Sequence, residues 1–203
     1  MPTKLMFPTQ IYQNRIMEDG IDPYNKTLIQ EIFKLSEIDE EGVNWSEENY
    51  LGGYTSYNSY NQLQNFSSSF EDLKEKIDEH VAVFMKELEF ELDSEELQMS
   101  NCWANIMPTG TNHSGHIHPN SVLSGTYYLQ IPEDSPSIKF EDPRLGLMMN
   151  SPRKIWDASE KNQHFVKLNL MDGDLVLFES WLRHEVPANP SEFDRISISF
   201  NYE

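Results

Sequence analysis

The apolar positions along the chain change their period near residue 96. Over residues 24–35 (YNKTLIQEIFKL), Leu28, Ile29, Ile32, Phe33 and Leu35 recur at the three-and-four spacing of one helical face. Over 68–92 the stripe is longer and takes in Phe70, Leu73, Ile77, Val81, Phe84, Leu88 and Phe90, with Ser68 or Ser69 placed to cap it. His80 falls inside this second helix and reads as a surface or packing residue. Between the two helices the acidic run SEIDEEGVNWSEEN reads as a solvated loop. Residues 50–66, rich in Tyr, Asn and Ser with a Gly-Gly pair, read as irregular chain with one short extended piece. A short strand is expected over 4–12.

Beyond residue 96 the pattern shortens to alternation. Strands are expected at 97–108, 124–131, 137–140, 165–170, 174–178 and 196–202, separated by the turn signals PTGTN, PEDSPS, MDGD and PANPSEFD. No internal repeat is visible. The expected organisation is one domain over 1–203, a helical support region at 1–96 and an antiparallel β core of seven or eight strands at 97–203. That is an α+β chain, mainly β, with its helices packed outside a sandwich or barrel.

Composition narrows the choice of function. A chain of 203 residues can bury one sizeable core and is short for two. The net charge of −19, with no Lys/Arg cluster, repels a phosphate backbone and argues against a nucleic-acid partner. A single cysteine, Cys102, rules out an internal disulfide and fits a reducing compartment. The chain shows no apolar leader and no run of the ~20 apolar residues that a membrane helix needs, so a cytoplasmic protein without membrane contact is expected.

The candidate chemistry lies in GHIHPNSVLSGTYYL, residues 115–129. On a strand, residues two apart share a face, so His116 and His118 can offer imidazole nitrogens to one ion. His184 follows after the MDGD turn and a strand. Arg195 comes eleven residues later, at the start of DRISISFNY, with Ser197 on its face. His113, three residues before His116, is out of strand phase. Each element alone is unremarkable; the ordered set of a paired ligand, a remote histidine and an Arg-x-Ser points to a metal site.

The order HxH…H…RxS resembles the 2-oxoglutarate/Fe(II)-dependent oxygenases. It is most similar to a branch of that superfamily carrying the string HxHPNSxLSGxYYL. The segments Phe7-Pro8-Thr9, Gly52-Gly53-Tyr54-Thr55-Ser56, Trp103-x-Asn105 and FEDPR at 140–144 match that branch as well. The resemblance implies a double-stranded β-helix (jelly-roll, cupin-like) with Fe(II) held by His116, His118 and His184. It implies 2-oxoglutarate as cosubstrate, with Arg195 on its distal carboxylate, Ser197 donating to the same group and Tyr128 offering a phenol. Thr126 would face inward beside Tyr128, with Tyr127 outward; Asn105 would line the same pocket. Trp103 and Trp181 are expected as apolar walls, and residues 50–66 as a cover over the mouth. The substrate would be a small molecule or a protein side chain, and the oligomeric state stays open, a homodimer included.

One position departs from the family pattern. His118 stands where a carboxylate ligand is usual in the two-His, one-carboxylate triad. Either three imidazoles hold the ion, or His118 turns away and water takes its place. Two other readings compete: a cupin-type metalloprotein that does not use 2-oxoglutarate, in which Arg195 has no special task, and a non-catalytic binding or structural module on the same fold.

Overall fold

The two apolar stripes become helices that lie on a sheet. The computed structural model describes residues 3–92 and 96–203. Helix α1 (Ile21–Ile38) buries Leu28, Ile32 and Leu35 completely, and helix α3 (Ser68–Glu87) buries Phe70, Leu73, Ile77, Val81 and Phe84. The cap of α3 is Ser67, one residue earlier than expected, its hydroxyl accepting from the Phe70 N–H. Ser69 instead donates to Glu31 of α1 at 2.6 Å and ties the two helices together.

The acidic run is not a loop. It forms helix α2 (Glu40–Asn49), capped by buried Asp39, whose carboxylate accepts from the Gly42 N–H at 2.9 Å. Glu40 and Glu41 then sit in the first turn, where the helix dipole favours negative charge. The residues α2 buries are Gly42 and Ser46 rather than large apolar ones, so it shows no apolar stripe.

Among the described residues, ten strands build two antiparallel sheets. The larger has the order β1 (Ile11–Arg15), β8 (Asp174–Glu179), β5 (Leu123–Gln130), β10 (Arg195–Tyr202), β3 (Met99–Met107) and β2 (Tyr54–Thr55). The smaller has the order β4 (His113–His116), β9 (His184–Val186), β6 (Lys139–Glu141) and β7 (Phe165–Lys167). Together they form the double-stranded β-helix. The first strand begins at Ile11, later than expected, and β2 is the short extended piece expected within residues 50–66. Residues before 96 therefore supply both edges of the larger sheet as well as the helices.

Strand alternation divides the interior in two. One face of the larger sheet presents Tyr127, Leu129, Leu175, Leu177, Ile196, Ile198 and Phe200 to the helices. The other presents Tyr128, Val176 and Phe178 to Phe140 and Val186 of the smaller sheet. Tyr127 thus points away from the space between the sheets, as its position after Thr126 predicts, but it does not reach solvent. It is fully buried, and its hydroxyl donates to Asn25 of α1 at 2.5 Å. Among the described residues, no helix is long and apolar enough to cross a membrane.

Candidate metal centre

Two of the three histidines are brought together by sheet register. Strands β4 and β9 pair antiparallel with His116 opposite His184. His118 is not on the same strand: β4 ends at His116, and the Ile117 and His118 backbone continues as an irregular connection. The His118 N–H donates to the Ser180 carbonyl at 3.0 Å, which holds its ring against the pair. Ring centroids lie 4.5 Å apart for His116 and His184, 5.2 Å for His116 and His118, and 5.0 Å for His118 and His184. One ring nitrogen from each lies within 4.8 Å of the others. His118 therefore faces the cluster.

The hydrogen bonds of the rings fit a metal. His116 Nδ1 lies 2.6 Å from the Ser114 carbonyl oxygen, His184 Nδ1 is 2.9 Å from that of Leu182, and His118 Nδ1 is 2.7 Å from Asn201 Oδ1. A carbonyl oxygen only accepts, so each ring carries its proton on Nδ1 and leaves the Nε2 lone pair free. That is the state in which imidazole ligates, and a donor from the second nitrogen to an outer acceptor is the usual support of such a ligand. Burial and the neighbouring His116 push the pKa of His118 down to about 4 and that of His184 to about 3, so both stay neutral. A set of three imidazoles suits a divalent transition metal rather than magnesium or calcium.

His113 lies outside the cluster. It stacks on Tyr50 at 4.4 Å, and burial, followed by the charge of Arg195, pushes its pKa to about 3.

The histidines share a cavity of about 560 Å³ with Arg195. Arg195 is 2% exposed, lies over the Tyr128 ring at 5.0 Å and reaches Met107 Sδ at 3.9 Å. Its Nε has no hydrogen-bond partner, and among the described residues no carboxylate forms an ion pair with it. Among the described residues, the buried hydroxyls of Tyr128 and Tyr50 also have no partner at hydrogen-bond geometry. An uncompensated buried guanidinium beside two unsatisfied phenols is costly unless it is paired, and an anion entering the cavity would supply that pairing. Burial raises the pKa of Tyr128, against the opposing pull of Arg195, so its hydroxyl stays a donor.

Strand β10 carries the cavity floor. Arg195, Ser197, Ser199 and Asn201 alternate onto one face, and all line the cavity. Asn105 Nδ2 donates to Ser199 Oγ at 3.2 Å, and Thr126 Oγ1 lies 3.3 Å from the same oxygen. Asn105, Thr126, Tyr128 and Ser197 all line this cavity. Trp103 also lines the cavity, 5.1 Å from the Tyr57 ring and 6.0 Å from His118. Trp181 does not: it is 47% exposed, in the turn from β8 to β9, where Leu182 is the residue that turns inward.

Sequence reasoning missed Ser199, Asn201 and Trp45. The first two were detectable by continuing the period of two through RISISFN. Trp45 lies in a segment whose helix was not recognised, whereas Tyr50 opens the segment expected over the mouth.

The family described as "Putative 2OG-Fe(II) oxygenase" matches residues 101–201. No curated protein sequence matches the chain. Among solved structures, a prolyl-4-hydroxylase from Pseudomonas putida superposes with a TM-score of 0.63 at 13% identity, over 96% of this chain and 92% of that one. HygX from Streptomyces hygroscopicus, with nickel and 2-oxoglutarate bound, gives 0.63 at 14% identity over 96% and 82%. The viral collagen prolyl hydroxylase of Paramecium Bursaria Chlorella virus-1, in its 2OG complex, gives 0.56 at 12% identity over 95% and 94%. At these identities the structures share the fold.

Proposed function

We propose, from this chain's membership of the 2OG-Fe(II) oxygenases through residues 101–201, a division of labour within its cavity. His116, His118 and His184 hold Fe(II), and Arg195 with Tyr128, Ser197, Asn105 and Thr126 holds 2-oxoglutarate. The observation that carries this reading is the buried Arg195 guanidinium without an anionic partner, in the same cavity as three converging neutral imidazoles. When bound, iron and 2-oxoglutarate supply a dioxygen-dependent oxidation of substrate coupled to conversion of 2-oxoglutarate to succinate and carbon dioxide.

The chain's own residues account for binding and selectivity. The Arg195 fork suits a carboxylate, and Tyr128, kept protonated by burial, can donate a second hydrogen bond to it. Three neutral ligands leave the ion's charge intact, so a dianionic cosubstrate meets two undiminished positive centres. Trp103, against His118, excludes water from that side. The wall of Trp45 and Tyr57 and the rim of α2 leave room for a small molecule or a protein side chain as substrate. The whole of 1–203 acts as one domain in this reading, because β1 and β2 complete the sheet that carries Arg195. The single buried thiol of Cys102 suits a cytoplasmic setting. A cupin-type site would leave Arg195 without a task.

Anaerobic titration of 2-oxoglutarate into the Fe(II)-loaded protein tests the assignment. A metal-to-ligand charge-transfer band is expected, together with slow succinate release in air. No band at saturating concentrations would overturn it.

A further inference from the structure

The three histidines are not held in the same way. His116 and His184 each place Nδ1 against the carbonyl of the residue two positions earlier, Ser114 and Leu182. That support comes from the backbone and survives any change of neighbouring side chain. His118 has no such bond. Its Nδ1 faces two side chains, Asn201 Oδ1 at 2.7 Å and Ser124 Oγ at 2.8 Å. Ser124 Oγ lies 2.8 Å from Asn201 Oδ1 and 2.7 Å from Ser180 Oγ. Ser124 and Ser180 are fully buried and Asn201 is 8% exposed.

The Asn201 oxygen, which only accepts, gives this network a direction. The Ser180 hydroxyl donates to Ser124, Ser124 donates to Asn201 Oδ1, and the His118 N–H donates to the same oxygen. Both lone pairs of the amide oxygen are then used, and the oxygen rather than the NH₂ group is held toward the ring. The requirement follows from the replaced ligand. A carboxylate has lone pairs on both oxygens and can ligate through either. A neutral imidazole has one free lone pair, and it faces the metal only if the proton sits on the other nitrogen.

We propose that Asn201, backed by Ser124, is a positioning residue that makes His118 competent to stand where the family pattern has a carboxylate. It does so by keeping the imidazole proton on Nδ1. This rests on the reading of His116, His118 and His184 as ligands. Asn201 lies on the strand of Arg195, six residues on and on the same face, so one element sets both the cosubstrate anchor and the orientation of the third ligand.

Two measurements on the full chain test this. The first is Co(II) affinity, followed by ligand-field absorbance under anaerobic conditions. Asn201→Ala should weaken Co(II) binding by about 10–100-fold, the usual range for losing such a support. Asn201→Asp, an acceptor of nearly the same size, should restore binding to the wild-type level or better. A merely structural Asn201 would leave Asp as poor as Ala, and that result overturns the proposal. So does wild-type affinity in a folded Asn201→Ala protein.

The second is the imidazole ¹⁵N spectrum of the metal-free protein, which reads the proton's position without any metal. His118 should carry it on Nδ1 in the wild type and in Asn201→Asp, and should become a tautomer mixture in Asn201→Ala. A wild-type His118 protonated on Nε2 overturns the proposal. If the wild type shows the Nδ1 proton but takes up no Co(II), the ligand reading fails and the role of Asn201 in His118 competence fails with it, whereas weak binding confined to Asn201→Ala fails neither.

Discussion

Arg195 is the residue whose chemistry is most exposed to test. Its charge is buried without a partner, so removing it has opposite effects on binding and on folding. Arg195→Met should cost 2-oxoglutarate binding about 2–5 kcal/mol, the range for losing one partner of a buried charged pair, measured by calorimetry. The same variant should leave the ligand-free protein no less stable in urea, because an apolar chain of similar length replaces an uncompensated buried charge. His113 gives a pH signature. Its pKa falls from 6.5 to about 3 in the fold. Between those values the unfolded chain binds a proton that the folded protein does not, so stability is lost as pH falls from 6.5 toward 3. Replacing it by Gln removes that contribution. The stability of His113→Gln, read from urea melts, should decline less steeply than wild type below pH 6.5.

At the scale of elements, α2 is where the sequence pattern and the structure part. Asp39 caps it, and the same carboxylate accepts from Tyr54 at 2.8 Å and from Ser59 at 2.5 Å. It therefore joins α2 to β2 and to the segment after it. Asp39→Ala should destabilise by about 1–3 kcal/mol, more than a cap alone, since buried hydroxyls lose their acceptor. Because Trp45 and Tyr50 at this helix line the cavity, the variant should also weaken 2-oxoglutarate binding, visible in the same calorimetric titration. Strand β5 offers a second element-level constraint. A Cβ at Gly125 would come within 2.5 Å of the Phe200 ring and 2.7 Å of Leu177, so this glycine of the LSGTYYL string is there for close packing of neighbouring strands.

For the molecule as a whole, the helices and the larger sheet share one core. Leu28, Ile32 and Phe70 pack against the face of the sheet opposite the cavity. Ile32→Ala should cost about 2–5 kcal/mol in urea unfolding. Metal couples to the same equilibrium: at about 100 times its dissociation constant, Ni(II) should add about 2.7 kcal/mol to the stability of the wild type. For a chain of this size that is a rise in melting temperature of about 5–10 °C. His184→Ala, which removes the proposed ligand opposite His116, should abolish the shift.

The apolar period by itself determined α1, α3 and most strands of the larger sheet, because those elements bury large side chains at fixed spacing. Strand alternation, taken with the family resemblance, assigned Thr126 and Tyr128 to the inside of β5. The apolar period did not determine α2, which buries a glycine and a serine, nor β4 and β9, whose few residues bear histidines rather than an apolar alternation. The ligand candidates could be read from residue type and order. That His118 joins His116 and His184 was decided only by tertiary structure. The strand ends before it, and its direction depends on Ser180 and Asn201, 62 and 83 residues away in the chain. Local sequence specifies which groups can ligate and, through carbonyls two residues back, how His116 and His184 are turned; for His118 only long-range hydrogen bonds fix where its single free lone pair points.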